Sequence, residues 1–369
     1  MFNTIQRRHR MIMMRRLIRK GRSIRSYGIS SANQNPLKVT VLTGFLGSGK
    51  TTLLNRILRE NHGKKIAVIE NELGDIAIDA SLVEDMTSDK NSIVLMKNGC
   101  LCCTIRDDLV DALQDILNRH LESPLDGVII EATGVALPSP IAETFFTSAY
   151  VRDFFEIQSF VAMVDSANFN IQLKHSEDTM TKQIAFADML VLNKIDAVQS
   201  ETRENVSKQL RSINSAASLV ECSHADIDVS TLLNESRGSS FDLETVEIEM
   251  SQSPTQHNHH HHHHHHHHTS TSSVSLSFEG DLDSSKLESF FASLLEKYGA
   301  TTLYRSKGIF SLKNEPNRFV MQTVQELYSG DILGEWGNNE KRINRVVFIG
   351  QDLDRDQLQS DLLECVALH

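Results

Sequence analysis

The sequence predicts an α/β protein: a doubly wound domain on a mostly parallel sheet, followed by a smaller α+β domain. Three observations carry this. Between residues 37 and 234, short near-continuous apolar runs alternate with longer polar–apolar stretches, the pattern of strands covered on both faces by helices. The first run leads directly into a glycine-rich loop and then a helical stretch. A histidine- and serine-rich tract of low complexity separates this region from residues 274–369, where a different pattern begins.

In chain order, residues 1–34 come first. Residues 1–30 hold eight Arg and one Lys, and the first acidic residue is Glu60. An Arg-rich, Ser-containing, acid-free leader is expected of an organelle transit peptide, with a disordered basic arm as the alternative. The expected compartment is the mitochondrion, with plastid or cytoplasm as alternatives. No uninterrupted apolar core follows the charges, so a secretory signal is excluded.

Residues 35–234 form the predicted α/β domain. Its expected strands are LKVTVLTGF, KKIAVIENE, SIVLMKNG, DGVIIEATG, SFVAMVDSAN and DMLVLNKID, with helix-like KTTLLNRILRE and RDDLVDALQDILNRHLE between some of them. Residues 235–273 cannot pack a core and are expected to form a linker. Residues 274–369 resume with strand-like SVSLSFEG, helical DSSKLESFFASLLEKYG, strand-like TTLYRSKGIFSL, RFVMQTVQELYSG and RINRVVFIG, and a last helix near DRDQLQSDLLECV.

The 369 residues suffice for two cores at roughly 100–200 residues per domain. The formal net charge is −11, and without the +9 of residues 1–30 the rest stands at −20. So acidic a body argues against nucleic acid as a partner, because phosphate neutralisation needs a basic face. No run of about 18 apolar residues occurs, so no membrane span is expected. Three of the five cysteines crowd into positions 100, 102 and 103, which suits ligands or redox groups better than a disulfide framework.

The stretch VTVLTGFLGSGKTTLLNRIL carries G-x-x-x-x-G-K-[ST] between a strand and a helix, the context that defines a P-loop. Gly44, Gly47 and Gly49 let backbone N–H groups converge on phosphates within a loop that runs through Ser48 to Thr52. Lys50 is expected on the β and γ phosphates, and the Thr51 hydroxyl on Mg²⁺. VLNKID offers Asp196 to both donors of the guanine N1/N2 edge, with Asn193 bracing the loop and Lys194 over the base. In ECSHAD, Ser223, His224 and Ala225 are candidates for the remaining wall of that pocket. VIIEATG places Glu131 where a carboxylate faces Mg²⁺ or the attacking water, both roles open, and Gly134 where the γ-phosphate would be sensed.

NGCLCCTIRDD puts Cys100 and Cys102 on one side of an extended segment, with Cys103 beside them. Three thiolates can take Zn²⁺, Cu(I) or another soft or borderline ion and leave a position for transfer. Glu70, Glu72 and Asp75, between the P-loop and the cysteines, could complete that sphere, contact Mg²⁺, or form a solvated loop. His257 and the unbroken His259–His268 run would bind divalent Zn, Ni, Co or Cu repeatedly and weakly. Cys222 and Cys365 stand alone and read as packing residues.

Taken together, GFLGSGKTTLLNRIL, IENELGDIAID, GCLCC, VIIEATGVALPSP, NKID, the His-rich insert, SKGIFSL and KRINRVVFIG resemble the CobW family of P-loop GTPases, of the zinc-regulated GTPase metalloprotein activator type, over roughly residues 37–369. The resemblance implies GTP hydrolysis with Mg²⁺, a P-loop role for Gly44 to Thr52, zinc on Cys100, Cys102 and Cys103, and guanine recognition by Asn193, Lys194 and Asp196. It further implies a metallochaperone that hands zinc to a client metalloenzyme, a methionine aminopeptidase being one candidate, with a homodimer as a candidate assembly. Metal storage under regulatory GTP binding, or a cobalamin-related role, are the alternative expectations.

Overall fold

The computed structural model describes residues 36–60, 62–70, 94–97, 105–233, 271–337 and 340–367. Cys100, Cys102, Cys103, Glu72, Asp75, the leader and the histidine run therefore lie outside the described residues. Those described fall into two compact units, within residues 36–233 and 271–367.

The first unit is built on seven strands: β1 (Leu37–Gly44), β2 (Ile66–Glu70), β3 (Val94–Lys97), β4 (Gly127–Glu131), β5 (Phe155–Asp165), β6 (Met189–Asn193) and β7 (Ser218–Glu221). Their order is β3-β2-β4-β1-β5-β6-β7, with every pairing parallel. β1 is central, with Leu42 opposite Glu131 on β4 and Gly44 opposite Met163 on β5. The chain lays strands first to one side of β1 and then to the other, so the loops after β1 and β4 open at the switch point where such sheets bind ligands.

Helices α1 (Lys50–Arg59), α2 (Ile105–Glu122), α3 (Ser139–Thr147), α4 (Ala149–Phe154), α5 (Phe169–His175), α6 (Glu177–Phe186), α7 (Ser200–Ile213) and α8 (Val229–Leu232) connect the strands. In α1, Leu53, Leu54, Ile57 and Leu58 share one face and are buried with Leu42, Val68, Ile129 and Val161 of the sheet. Burying side chains of this size is worth about 1.5–3 kcal/mol each, which anchors the helix that begins at the P-loop.

The second unit is a five-stranded antiparallel sheet, β11-β10-β9-β12-β8 in order, formed by β8 (Thr271–Glu279), β9 (Leu303–Ser311), β10 (Asn317–Val324), β11 (Leu327–Glu335) and β12 (Ile343–Gln351). Helices α9 (Ser284–Thr302) and α10 (Arg355–Leu363) bury Leu287, Phe291, Leu358 and Leu362 against Val274, Phe310, Phe319 and Phe348. Asp283 and Asp354 cap the two helices, accepting from Lys286 N and Gln357 N, each at 3.0 Å. The stretch RFVMQTVQELYSG is not one strand, as its composition suggests. It is a hairpin, turning at Gln325 (φ 52°) and Glu326 between paired Val324 and Leu327.

Candidate functional site

Residues 45–49 link β1 to α1 at the carboxyl edge of the sheet. Gly44 (φ 136°) must be glycine, because a Cβ there would collide with the backbone oxygen of Met163. At Gly49 (φ 108°) a Cβ would strike the Asn193 carboxamide. α1 opens on Gly49 with no side-chain cap and no acidic residue in its first turn, so its leading amides and positive dipole end are available to an anion. Thr51 and Thr52 are exposed at this end.

Lys50 is buried, and its Nζ donates to Gly44 O at 2.6 Å and Phe45 O at 3.2 Å. Burial pushes its pKa down, and the Glu131 carboxylate opposes that shift. The hydroxyls of Thr43 and Ser48 are fully buried and, among the described residues, have no hydrogen-bond partner. Buried polar atoms are normally satisfied. Orphaned hydroxyls, open helix amides and an ammonium resting on the loop's own carbonyls together fit a Mg²⁺-bound triphosphate.

Four strands end in buried polar residues at this edge: Glu70 on β2, Glu131 on β4, Asp165 on β5 and Asn193 on β6. Asn193 Nδ2 donates to Ser48 O at 2.9 Å, and its Oδ1 accepts from Ala225 N at 2.9 Å and from Cys222 Sγ at 3.4 Å. Asp165 accepts from Lys194 Nζ at 2.7 Å and from Asn168 Nδ2 at 2.9 Å. Burial alone would raise its pKa, but those hydrogen bonds and the Lys194 charge carry it below the usual carboxylate range. Lys194 adopts φ 63° and leads into a short turn over Ile195–Ala197, in which Asp196 is half-exposed. The Ser223 hydroxyl holds the Asp196 carboxyl below its ordinary pKa, while His224 is 86% exposed with Nε2 at 3.6 Å from Asp196. His224 and Ala225 both have positive φ, 54° and 56°. The 223–226 loop is tied to α1 by Arg56, which meets Asp226 at 2.6 Å.

After β4, Ala136 N donates to Thr133 O at 2.9 Å, closing a turn around Gly134. A Cβ on Gly134 would lie 2.8 Å from the backbone nitrogen of Leu46 in the P-loop, so the two loops touch. Gln172 Nε2 donates to Leu46 O at 3.2 Å.

The structure thus brings the predicted Gly44, Gly47, Ser48, Gly49, Lys50, Thr51, Glu131, Gly134, Asn193, Lys194, Asp196, Ser223 and His224 to one edge of the sheet. Glu70 ends β2, opposite Lys97 of β3 in register; the segment that carries the cysteines runs from there to α2. Sequence reasoning missed Asp165, Arg56, Gln172 and Gln183. Cys222 is the packing residue the sequence suggested, buried in the core, and its thiol, its pKa pushed up to about 11 chiefly by burial, also touches Asn193. The recurrence of a polar residue at the last position of β2, β4 and β6 was a signal that would have exposed Asp165.

This fold and site define a P-loop GTPase. Residues 38–221 match the family model described as "CobW/HypB/UreG, nucleotide-binding domain", and residues 271–366 match "Cobalamin synthesis protein cobW C-terminal domain". The chain belongs to the CobW family. It is 36% identical over 328 residues to the zinc chaperone YjiA of Escherichia coli, covering 88% of this chain and 98% of that one. It is 37% identical over 197 residues to zinc-regulated GTPase metalloprotein activator 1 of Schizosaccharomyces pombe, covering 53% and 47%. The crystal structure of Zn(II)-bound YjiA superposes with a TM-score of 0.67 at 30% identity, over 90% of this chain and all of that one.

Proposed function

We propose that the protein is a GTP-hydrolysing metallochaperone that holds zinc, or a similar divalent ion, and transfers it to a client metalloenzyme. One observation carries this. β3 ends at Lys97, in register with Glu70, at the carboxyl edge on which the P-loop and Glu131 lie, and Cys100 follows three residues later in the sequence. A change at the γ-phosphate can therefore alter the geometry offered to the ion. The names of the bacterial and fission-yeast relatives support zinc as the cargo.

In this reading Lys50 exchanges the carbonyls of Gly44 and Phe45 for phosphate oxygens. Asp196 accepts from the guanine N1 and N2 positions, held by Ser223. Bound Mg²⁺, with the Thr51 hydroxyl as its protein ligand, would neutralise charge developing on the phosphates. Glu131 orients water or faces that ion. Cys100, Cys102 and Cys103, with Glu70 or Asp75, hold the cargo as thiolates and carboxylate, so loading releases protons and weakens in acid. The leader supports a mitochondrial location. A methionine aminopeptidase as client and a homodimer as the working assembly belong to the same proposal.

The test is GTP hydrolysis by the full chain with and without one equivalent of Zn²⁺, beside Cys102→Ser. Turnover that responds to zinc, and no longer does so in the variant, supports the proposal. Zinc affinity that is identical with GDP and with a non-hydrolysable GTP analogue removes the energetic basis for release.

A further inference from the structure

We infer that Gln183 is a positioning residue that fixes the 134–136 turn, and with it the place of the Gly134 N–H beside the P-loop, and so tunes the discrimination between GTP and GDP. Gln183 lies on α6 and is 2% exposed. Its Nε2 donates to Gly134 O at 3.2 Å and to Ala136 O at 3.0 Å, the carbonyls on either side of Val135.

A primary carboxamide has two N–H donors, and this one has both acceptors on the same turn. The peptide plane after Gly134 is thereby held from outside the loop. The plane before it, which carries the Gly134 N–H, is held from within, because Ala136 N donates to Thr133 O. With both planes set, the Gly134 amide has little freedom beside the P-loop, against which its Cα packs at Leu46.

The anchor is itself rigid. Ile184 and Phe186 of α6 are buried in the core. The carbonyls at the end of the helix, Ile184 O, Ala185 O and Ala187 O, accept from Asn214 Nδ2 at 2.8, 3.3 and 2.9 Å. Val135, between the two clamped carbonyls, is 58% exposed, so the turn is held by the carboxamide rather than by burial of its own side chain. A donor aimed at a phosphate oxygen gains from such preorganisation, since the cost of orienting it is met on folding.

The inference rests on the reading that Gly134 senses the γ-phosphate, and the test separates the two. In the full chain, Gln183→Leu keeps the volume and removes both donors. It is expected to lower kcat and the affinity for a non-hydrolysable GTP analogue by about tenfold each, with GDP affinity within about twofold of wild type. Equal losses for GDP and the analogue, or no loss for either, would overturn it.

Gln183→Glu supplies a second readout, available if the leucine variant does not fold. Ionised, it presents oxygens to two carbonyls; protonated, it regains one donor. Burial and those carbonyls favour the protonated form, so its hydrolysis rate relative to wild type should climb as pH falls from about 8 to about 5.5. A ratio independent of pH counts against the inference. Gly134→Ala keeps the amide but adds a methyl that meets Leu46 of the P-loop, so it displaces the turn. An analogue-to-GDP preference unchanged by it, while Gln183→Leu shifts that preference, would mean that Gly134 is not the sensor and would overturn the inference.

Discussion

Asn193 joins Ser48 to Ala225: its carboxamide donates to the Ser48 carbonyl at 2.9 Å and accepts from the Ala225 amide at 2.9 Å. One buried side chain therefore ties the phosphate loop to the loop that would bind the base. A second link is Arg56 on α1, which meets Asp226. With Asp165 gripping Lys194, these contacts join the two halves of a nucleotide site in one hydrogen-bonded unit that is in place before any ligand arrives.

Asn193→Ala should consequently weaken GTP and GDP alike, by about tenfold or more, because it loosens both loops rather than the γ-phosphate end. It should also lower stability by about 1–3 kcal/mol, since Ser48 O and Ala225 N lose buried partners. Fluorescent-nucleotide titration and urea unfolding check both parts. A variant that lost GTP but kept GDP would contradict the tie.

Asp165 gives a pH signature. Its carboxyl is depressed in the folded chain, so its contribution is present above the unfolded value of about 3.9 and is lost as pH falls through the lower folded value. Asp165→Asn should be less stable than wild type by about 2 kcal/mol at pH 7, a typical figure for hydrogen bonds to a charged group. That gap should stay level down to about pH 5 and shrink below about pH 4. Unfolding curves across this range decide it; a gap that widened in acid would mean the carboxyl is raised, not lowered.

These relationships show what the sequence could and could not disclose. The P-loop, the strand-end position of Asp196 and six of the seven strands of the first sheet were legible because glycine spacing, strand-end position and apolar runs are local signals. Gln172 and Gln183 were not, since each acts on a backbone atom far along the chain: Gln172 lies 126 residues from Leu46 and Gln183 lies 49 residues from Gly134. The β10–β11 hairpin escaped for the opposite reason. Its turn uses Gln325 and Glu326 instead of the Gly or Asn that positive φ favours, so no turn residue announced it.

Base choice is testable at Asp196. A carboxylate accepts from both N1–H and the N2 amino group of guanine, whereas an amide offers one acceptor and one donor. Asp196→Asn should lower GTP affinity by about 100-fold and improve binding of xanthosine triphosphate, whose 2-oxo group matches the new donor. Competition binding with the two triphosphates reads this directly. Loss of both without any gain would mean that the side chain shapes the loop instead of reading the base.

Lys50 sets function against stability. Its ammonium is buried on Gly44 O and Phe45 O, and burial holds its pKa down even with Glu131 nearby. A lysine whose folded pKa lies below the unfolded value of about 10.4 costs stability while it is charged, and the cost is lifted as pH rises from the folded value towards the unfolded one. Lys50→Met removes that charge together with its hydrogen bonds. It should abolish most hydrolysis, by about 100-fold or more, because charge on the phosphates loses its counter-ion. Its stability at pH 7 should nevertheless stay within about 1 kcal/mol of wild type, lost hydrogen bonds and relieved desolvation opposing each other. As pH rises towards the unfolded value, wild type should gain on the variant as its own lysine deprotonates. Parallel melts from neutral to alkaline pH measure that gain. If the gap moved the other way, Lys50 would be stabilised by its charge in the folded chain, and the loop would be built to hold the ammonium rather than to release it to a phosphate.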